Sequence, residues 1–332
     1  MNWVTIDLGA STIKASVRDN KRFPVRLLYR MGAYYTTLLS AEVFEAENGE
    51  IVIGDLAAMQ GCYEPSLIIS DWKAVGQKNR IVETFLGTIH SSAIDHYGDN
   101  EIGAVILYNN TPDEMILGIA NKIFRQVKSM CVADVMKKAI AQQSKGLMLI
   151  ADFGAKAFRT TVINLENDKT LFVENKDLSF SSLEIFSLIE IDKSRSHNSI
   201  ERSLLGLMMQ MVKIAVNKGG EVVLPYGISS KGSLKDDFER MMTDYLHKCF
   251  EESFEVLRTM HKTWSDVSEV VFIGGGAESC IINRVFENYM LGLGLQLKSF
   301  NSSKQDFDTQ FAASYCAIQM PLREETGVII EF

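Results

Sequence analysis

The sequence predicts an α/β fold in two related halves around a ligand cleft, and three stretches predict it. The first runs Trp3-Val4-Thr5-Ile6-Asp7-Leu8-Gly9-Ala10-Ser11-Thr12-Ile13-Lys14-Ala15-Ser16-Val17: an apolar strand reaches an acid, turns on glycine and small hydroxyl residues, and leaves as a second strand. The second, Leu149 to Val162, repeats the pattern with Asp152-Phe153-Gly154-Ala155 at the turn and the basic Arg159 beyond it. The third joins the strand Val270 to Ile273 to Gly274-Gly275-Gly276-Ala277, after which Ile281, Ile282, Val285, Phe286 and Tyr289 recur at helical spacing. Glycine at a turn lets backbone N–H groups approach an anion, and the carboxylates of Asp7 and Asp152 suit a magnesium ion or its water. A strand, a glycine turn and a helix leave bare backbone for a flat group. Self-similarity of the first two stretches points to two halves that share one ligand.

Composition narrows the class. The 332 residues allow two domains with sizeable cores, and 46% hydrophobic with 23% charged residues describe an ordinary globular chain. A net charge of −8 offers no basic stripe for phosphate backbones, so direct nucleic-acid binding is not expected. No apolar run has the length of a membrane span, and the start has no signal-peptide pattern, so a cytoplasmic protein is expected. The five cysteines and five histidines show neither a C-x-x-C pair nor metal-ligand spacing.

Taken in order, the first hairpin is followed by a strand at Val25 to Arg30, then a hairpin of Ala41 to Ala46 with Ile51 to Ile53 about an Asn48-Gly49 turn. Val82, Phe85, Leu86, Ile89, Ala93 and Ile94 predict a helix over 81–97. Ala104 to Tyr108 reads as a central strand, with Thr111 as cap and Pro112 at the first position of the next helix. Residues 133–143 read as helix, Leu171 to Glu174 as strand, and Asp177 to Asp192 as helix. Leu204 to Val216 is apolar nearly all round, a buried helix with Gln210, Lys213 and Asn217 on one stripe. Glu221 to Leu224 is a strand. Ser233 caps the longest helix, whose apolar face includes Met242, Leu246, Cys249, Phe250 and Leu257, and a last helix from Phe311 to Met320 closes at Pro321.

These three stretches, in this order, resemble the two phosphate motifs and the adenosine motif of the actin-like ATPase superfamily, whose duplicated ribonuclease H-like fold places two lobes around a nucleotide. Within it the chain is most similar to the nucleotide-binding domain of DnaK-type (70-kDa heat-shock) chaperones. Tyr34 to Phe44, Ile53-Gly54-Asp55-Leu56-Ala57-Ala58 and Glu64 to Lys73 with Gly76 follow that family's succession, and the likeness covers roughly residues 1–320. It implies lobe I over 1–164, lobe II over 165–305, a helix over 306–320 packing back on lobe I, and a tail over 321–332 whose Val328 to Ile330 resembles the family's apolar linker.

The resemblance implies ATP or ADP with Mg2+ as cofactors. It makes Asp7 and Asp152 the metal-side carboxylates, and Gly9, Ala10, Ser11 and Thr12 the first phosphate turn. Gly154, Ala155 and Lys156 become the second turn, and Lys73 the lysine that reaches the terminal phosphate. Gln210, Lys213 and Asn217 fall on the ribose and adenine helix, and Gly274, Gly275, Gly276 and Glu278 on the adenosine turn. Asp134 stands where the family has a glutamate, one methylene longer, so Lys73, Asp152 and Asp134 are the catalytic candidates.

The departures are equally specific. Gly154-Ala155-Lys156-Ala157 replaces a glycine-rich loop, Arg159 replaces a second acid, Ala10 replaces a hydroxyl residue, and Ile214 and Glu278 replace arginines that flank adenine. Phosphoryl transfer rests on positioning and charge, so ATP hydrolysis is expected to be weak or lost, unless Lys156 and Arg159 supply compensating charge. The expected function is a nucleotide-dependent switch or co-factor for a protein partner, without a peptide-binding domain. The alternative is a self-assembling, ParM-type ATPase of plasmid or DNA segregation, which Ile273 to Glu278 and Asp308 to Ala313 also resemble.

Overall fold

A computed structural model describes residues 1–10, 12–19, 23–31, 34–61, 68–69, 72–73, 75–76, 78–140, 145–154, 157–167, 169–177, 189–191, 228–230, 233–295 and 311–326. The chain divides into two compact units. The first takes Met1–Ile140 together with the C-terminal helix, and the second takes the described residues between Ala141 and Gln310. The predicted helix over Leu204 to Val216, the strand Glu221 to Leu224 and the tail from Gly327 lie outside the described residues.

The first unit holds a sheet of β1 (Asn2–Leu8), β2 (Thr12–Arg18), β3 (Pro24–Arg26), β6 (Leu39–Ser40), β10 (Ile102–Tyr108) and β11 (Gln126–Cys131). Its order is β11-β10-β1-β2-β3, with β6 also on β2. β1 runs parallel to β10 and antiparallel to β2, with Asp7 opposite Lys14 and Thr5 opposite Ser16. Smaller pieces are the ribbon of β4 (Tyr29–Met31) and β5 (Tyr34–Thr36), and the sheet of β7 (Val43–Glu45), β8 (Ile51–Ile53) and β9 (Ile68–Ile69) beside α1 (Asp55–Gly61).

Alternation decides the faces. Val4, Ile6, Leu8, Ile13 and Ala15 meet Ile81, Val82, Phe85, Leu86 and Ile89 of α2 (Lys78–Tyr97) in one apolar cluster, which also takes Ile116 and Ala120 of α3 (Glu114–Ile123). The opposite face carries Thr5, Asp7, Lys14 and Ser16 beside the apolar Trp3 and Val105. There the Ser16 hydroxyl lies 2.6 Å from that of Ser314 in the C-terminal helix, and Arg26 sits 4.7 Å over the Phe311 ring. A fourth helix, α4 (Val132–Ile140), follows β11 directly.

The second unit is built on β12 (Leu147–Phe153), β13 (Ala157–Asn164), β14 (Lys169–Asp177) and β17 (Val267–Ile273), in the order β14-β13-β12-β17, with a small pair of β15 (Ile189–Ile191) and β16 (Ile228–Ser230). One face of that sheet packs on α5 (Leu234–Thr259) and α6 (Cys280–Gly292), through Leu149, Ala151, Phe158, Met242, Leu246, Phe250, Phe272, Val285 and Phe286. The C-terminal helix is α7 (Ala312–Thr326). In each sheet an antiparallel β-β-β run has a parallel strand beside its first member.

Several expectations need correction. The strand at Val25 to Arg30 is broken into β3 and β4, because Leu27 turns in to bond the Ala15 carbonyl while Leu28 points out. The ends of the predicted helix Asp177 to Asp192 are strand: Asp177 closes β14 and Ile189–Ile191 pairs with β16. α7 continues through Pro321, since one proline removes a single hydrogen bond without ending the remaining ladder. The two compact units divide between Ile140 and Ala141, because β12 pairs along its length with β17 and takes its hairpin into the second unit. Among the described residues no helix is long and apolar enough to cross a membrane.

The cap of α3 is Asp113, not Thr111. Its carboxylate accepts from the N–H groups of Met115 and Ile116 at 3.1 and 3.2 Å and from Lys78 Nζ at 2.7 Å. Partial burial pushes this carboxyl up, but Lys78 and the two helix N–H groups outweigh it and hold it below its ordinary value of 3.8. A depressed folded-state value stabilises the protein fully above the unfolded value and loses that contribution as pH falls through the folded one. Asp113→Ala is therefore expected to cost about 1 kcal/mol at neutral pH. In urea titrations at successively lower pH, the gap to wild type should close below the ordinary aspartate range.

Candidate functional site

In the first unit the parallel strands β1, β10 and β11 end at one sheet edge, the place where open α/β sheets receive ligands. Asp7 stands in β1 just before that edge. Gly9 and Ala10 begin the turn, and Thr12 opens β2. A Cβ on Gly9 would collide with the Thr12 carbonyl oxygen, so the tightness of the turn requires glycine. Tyr108 closes β10 opposite Cys131 at the end of β11, which α4 follows at once with Asp134 in its first turn; burial raises the Tyr108 phenol, and electrostatic interaction with Cys131 and Asp134 acts in the same direction. Asp134 lies exposed in the first turn of α4, 3.7 Å from Lys137 Nζ. Lys73 is held by its neighbour: its Nζ sits 5.3 Å over the ring of Trp72, which is buried against Phe85.

The second unit brings two of the three predicted stretches together. β12 and β17 run parallel with Asp152 opposite Ile273, so the Gly154 turn and the Gly274 turn leave adjacent strands at the same end. Gly274 has φ +93°, and a Cβ there would lie 2.6 Å from both Asp152 Oδ1 and the Phe153 carbonyl oxygen. A Cβ on Gly276 would strike the Phe153 ring. Gly275 to Glu278 form a 3-10 turn, after which Ser279 caps α6 by accepting from the Ile282 N–H. Gly154 donates to the Ala157 carbonyl at 2.9 Å, which closes the hairpin. Bare backbone is thus packed against a carboxylate and an aromatic ring.

Sequence reasoning did not pair the acids with their cross-strand bases. Lys14 Nζ meets Asp7 Oδ2 at 3.1 Å, and Arg159 Nη1 meets Asp152 Oδ2 at 3.3 Å. In both hairpins the base stands seven residues beyond the acid and directly opposite it, on the face turned away from the unit's apolar cluster. That equal spacing across two short turns was the signal available. Ser11, Ala155, Lys156, Gln210, Lys213 and Asn217 lie outside the described residues, as do most of Glu64 to Lys73 and the side chain of Glu278. Among the described residues no group of three or more His, Cys, Asp or Glu is arranged to hold a metal ion.

The chain is 22% identical over 331 residues to the chaperone protein DnaK of Mycoplasmopsis pulmonis (strain UAB CTIP), across 86% of this chain and 54% of that protein. It spans about half the length of the curated relative it matches. No family model matches the chain. The match supports a distant relationship to the 70-kDa heat-shock chaperones, with which the mixed α/β architecture is compatible, and lends no support to a ParM-type reading.

Proposed function

We propose that this chain is a DnaK-like nucleotide-binding module: its two units form the duplicated actin-like fold, close around ATP or ADP, and change how a protein partner docks. Neither a membrane nor a nucleic acid belongs to this reading, and its setting is the cytoplasm. The observation that carries it is the packing of the Gly274 to Gly276 turn on Asp152 and Phe153, which sets a phosphate-type hairpin beside a flat-group turn in one unit. The distant match to DnaK supports the same assignment.

Hydrolysis is weak or lost in this reading. Arg159 occupies the cross-strand position at which the resembled family has an acid, and charge placement is most of what accelerates phosphoryl transfer. Calorimetric titration with ATP and ADP should therefore show binding, while phosphate release from ATP stays at the buffer rate. Robust turnover that disappears in Lys73→Ala would overturn the non-hydrolytic part. Absence of any nucleotide binding would overturn the whole.

A further inference from the structure

The orphaned polar atom at the second hairpin is a donor. Arg159 Nε is buried with no hydrogen-bond partner among the described residues, although Nη1 of the same guanidinium is engaged by Asp152. A buried N–H left unmatched asks for an acceptor, and on a guanidinium it asks for an anion.

The resemblance implies a magnesium ion beside Asp7 and Asp152, and the donor set does not fit one. Each carboxylate already faces a cation across its hairpin, and those cations are largely shielded, with side-chain exposures of 11% for Lys14 and 15% for Arg159. A divalent ion brought to Asp152 Oδ2 would lie within a few ångströms of a guanidinium that is charged at every relevant pH, and poor solvent access leaves that repulsion weakly screened.

We infer that Arg159 takes the place of the divalent ion at the second hairpin. Asp152 tethers one edge of the guanidinium, and the other edge offers Nε–H to a phosphate oxygen, so the chain takes a nucleoside polyphosphate without magnesium. Lys14 and Asp7 repeat the cross-strand acid–base pair in the first hairpin. The inference rests on the nucleotide-binding reading and adds to it which charge neutralises the phosphates. An ion pair that only braced the hairpin would have no bearing on metal dependence.

The test is calorimetric titration of the full chain with ATP and with ADP, in magnesium chloride and in EDTA. The expected result is a Kd that changes by less than about fivefold on removal of the metal. A larger loss in EDTA overturns the inference while leaving nucleotide binding standing. No binding under either condition overturns the nucleotide reading and the inference together. Arg159→Gln should weaken binding in EDTA by about tenfold or more, and Arg159→Asp should make binding depend on magnesium. Unchanged metal-free affinity in Arg159→Gln also overturns it. Should these variants fail to fold, the wild-type comparison alone decides, and Arg159→Lys, which keeps the charge but not the fork, provides an intermediate case.

Discussion

Gly274→Ala is expected to abolish nucleotide binding and to destabilise the second unit by about 3 kcal/mol or more. The residue has φ +93° and ψ 173°, a region that glycine alone enters without strain of about 1–3 kcal/mol. Space is also lacking, because the added methyl would sit 2.6 Å from Asp152 Oδ1 and equally close to the Phe153 carbonyl oxygen. A flexible side-chain tip gives way cheaply; the carbonyl belongs to β12, whose pairing with β13 and β17 fixes it. Relief therefore means moving the glycine turn off Asp152, and the proposed site goes with it. Gly292→Ala is the control. It lies at the end of α6, where an added methyl meets nothing within 4 Å, so titration and urea unfolding should both match wild type.

Phe250→Ala should cost the second unit about 3–5 kcal/mol, a large share of the roughly 5–15 kcal/mol that an ordinary domain has. Phe250 is fully buried at the junction of three elements. Its ring stacks on Tyr289 at 5.1 Å, meets Phe158 and Trp264 edge-on at 5.7 and 5.9 Å, and tilts against Phe286 at 5.8 Å. Truncation removes the transfer energy of the ring and leaves a cavity that neighbours held on separate strands and helices cannot collapse to fill. In urea unfolding followed by circular dichroism, the transition of the second unit should move to much lower urea in the variant while that of the first stays in place. Phe250→Leu, which retains most of the volume, should cost clearly less.

What the sequence made legible is what short-range pattern carries. Apolar runs and alternation located β1, β2, β10, β12, β13 and β17, and three consecutive glycines located the turn now seen on Asp152. The face of α5 could be read because Met242, Leu246, Cys249, Phe250 and Leu257 recur at helical spacing, and all five are buried. β11 could not be read. Gln126–Cys131 mixes polar and apolar residues without regular alternation and is half exposed, and it is a strand because β10 offers a parallel partner, not because its own residues prefer one. The helix cap at Asp113 was missed for a similar reason, since Lys78, distant in sequence, joins two helix N–H groups on its carboxylate. The cross-strand pairing of Asp7 with Lys14 and Asp152 with Arg159 needed the register of each hairpin, which turn geometry sets and composition does not.

The hydroxyl contact between Ser16 and Ser314 joins a strand near the start of the chain to its last described helix, with the whole second unit threaded between them. A ribosome makes the strand well before the helix, with residues 141–310 in between. The nascent sheet must therefore wait, with the side of β2 that bears Ser16 uncovered; Thr5, opposite Ser16, lies on that same side, its hydroxyl buried with no hydrogen-bond partner among the described residues. Meanwhile the inserted unit can complete its own fold. Synthesis of α7 is then the step that closes the sheet bearing the Gly9 turn, so a product that stops before α7 would display the hairpin but not its backing.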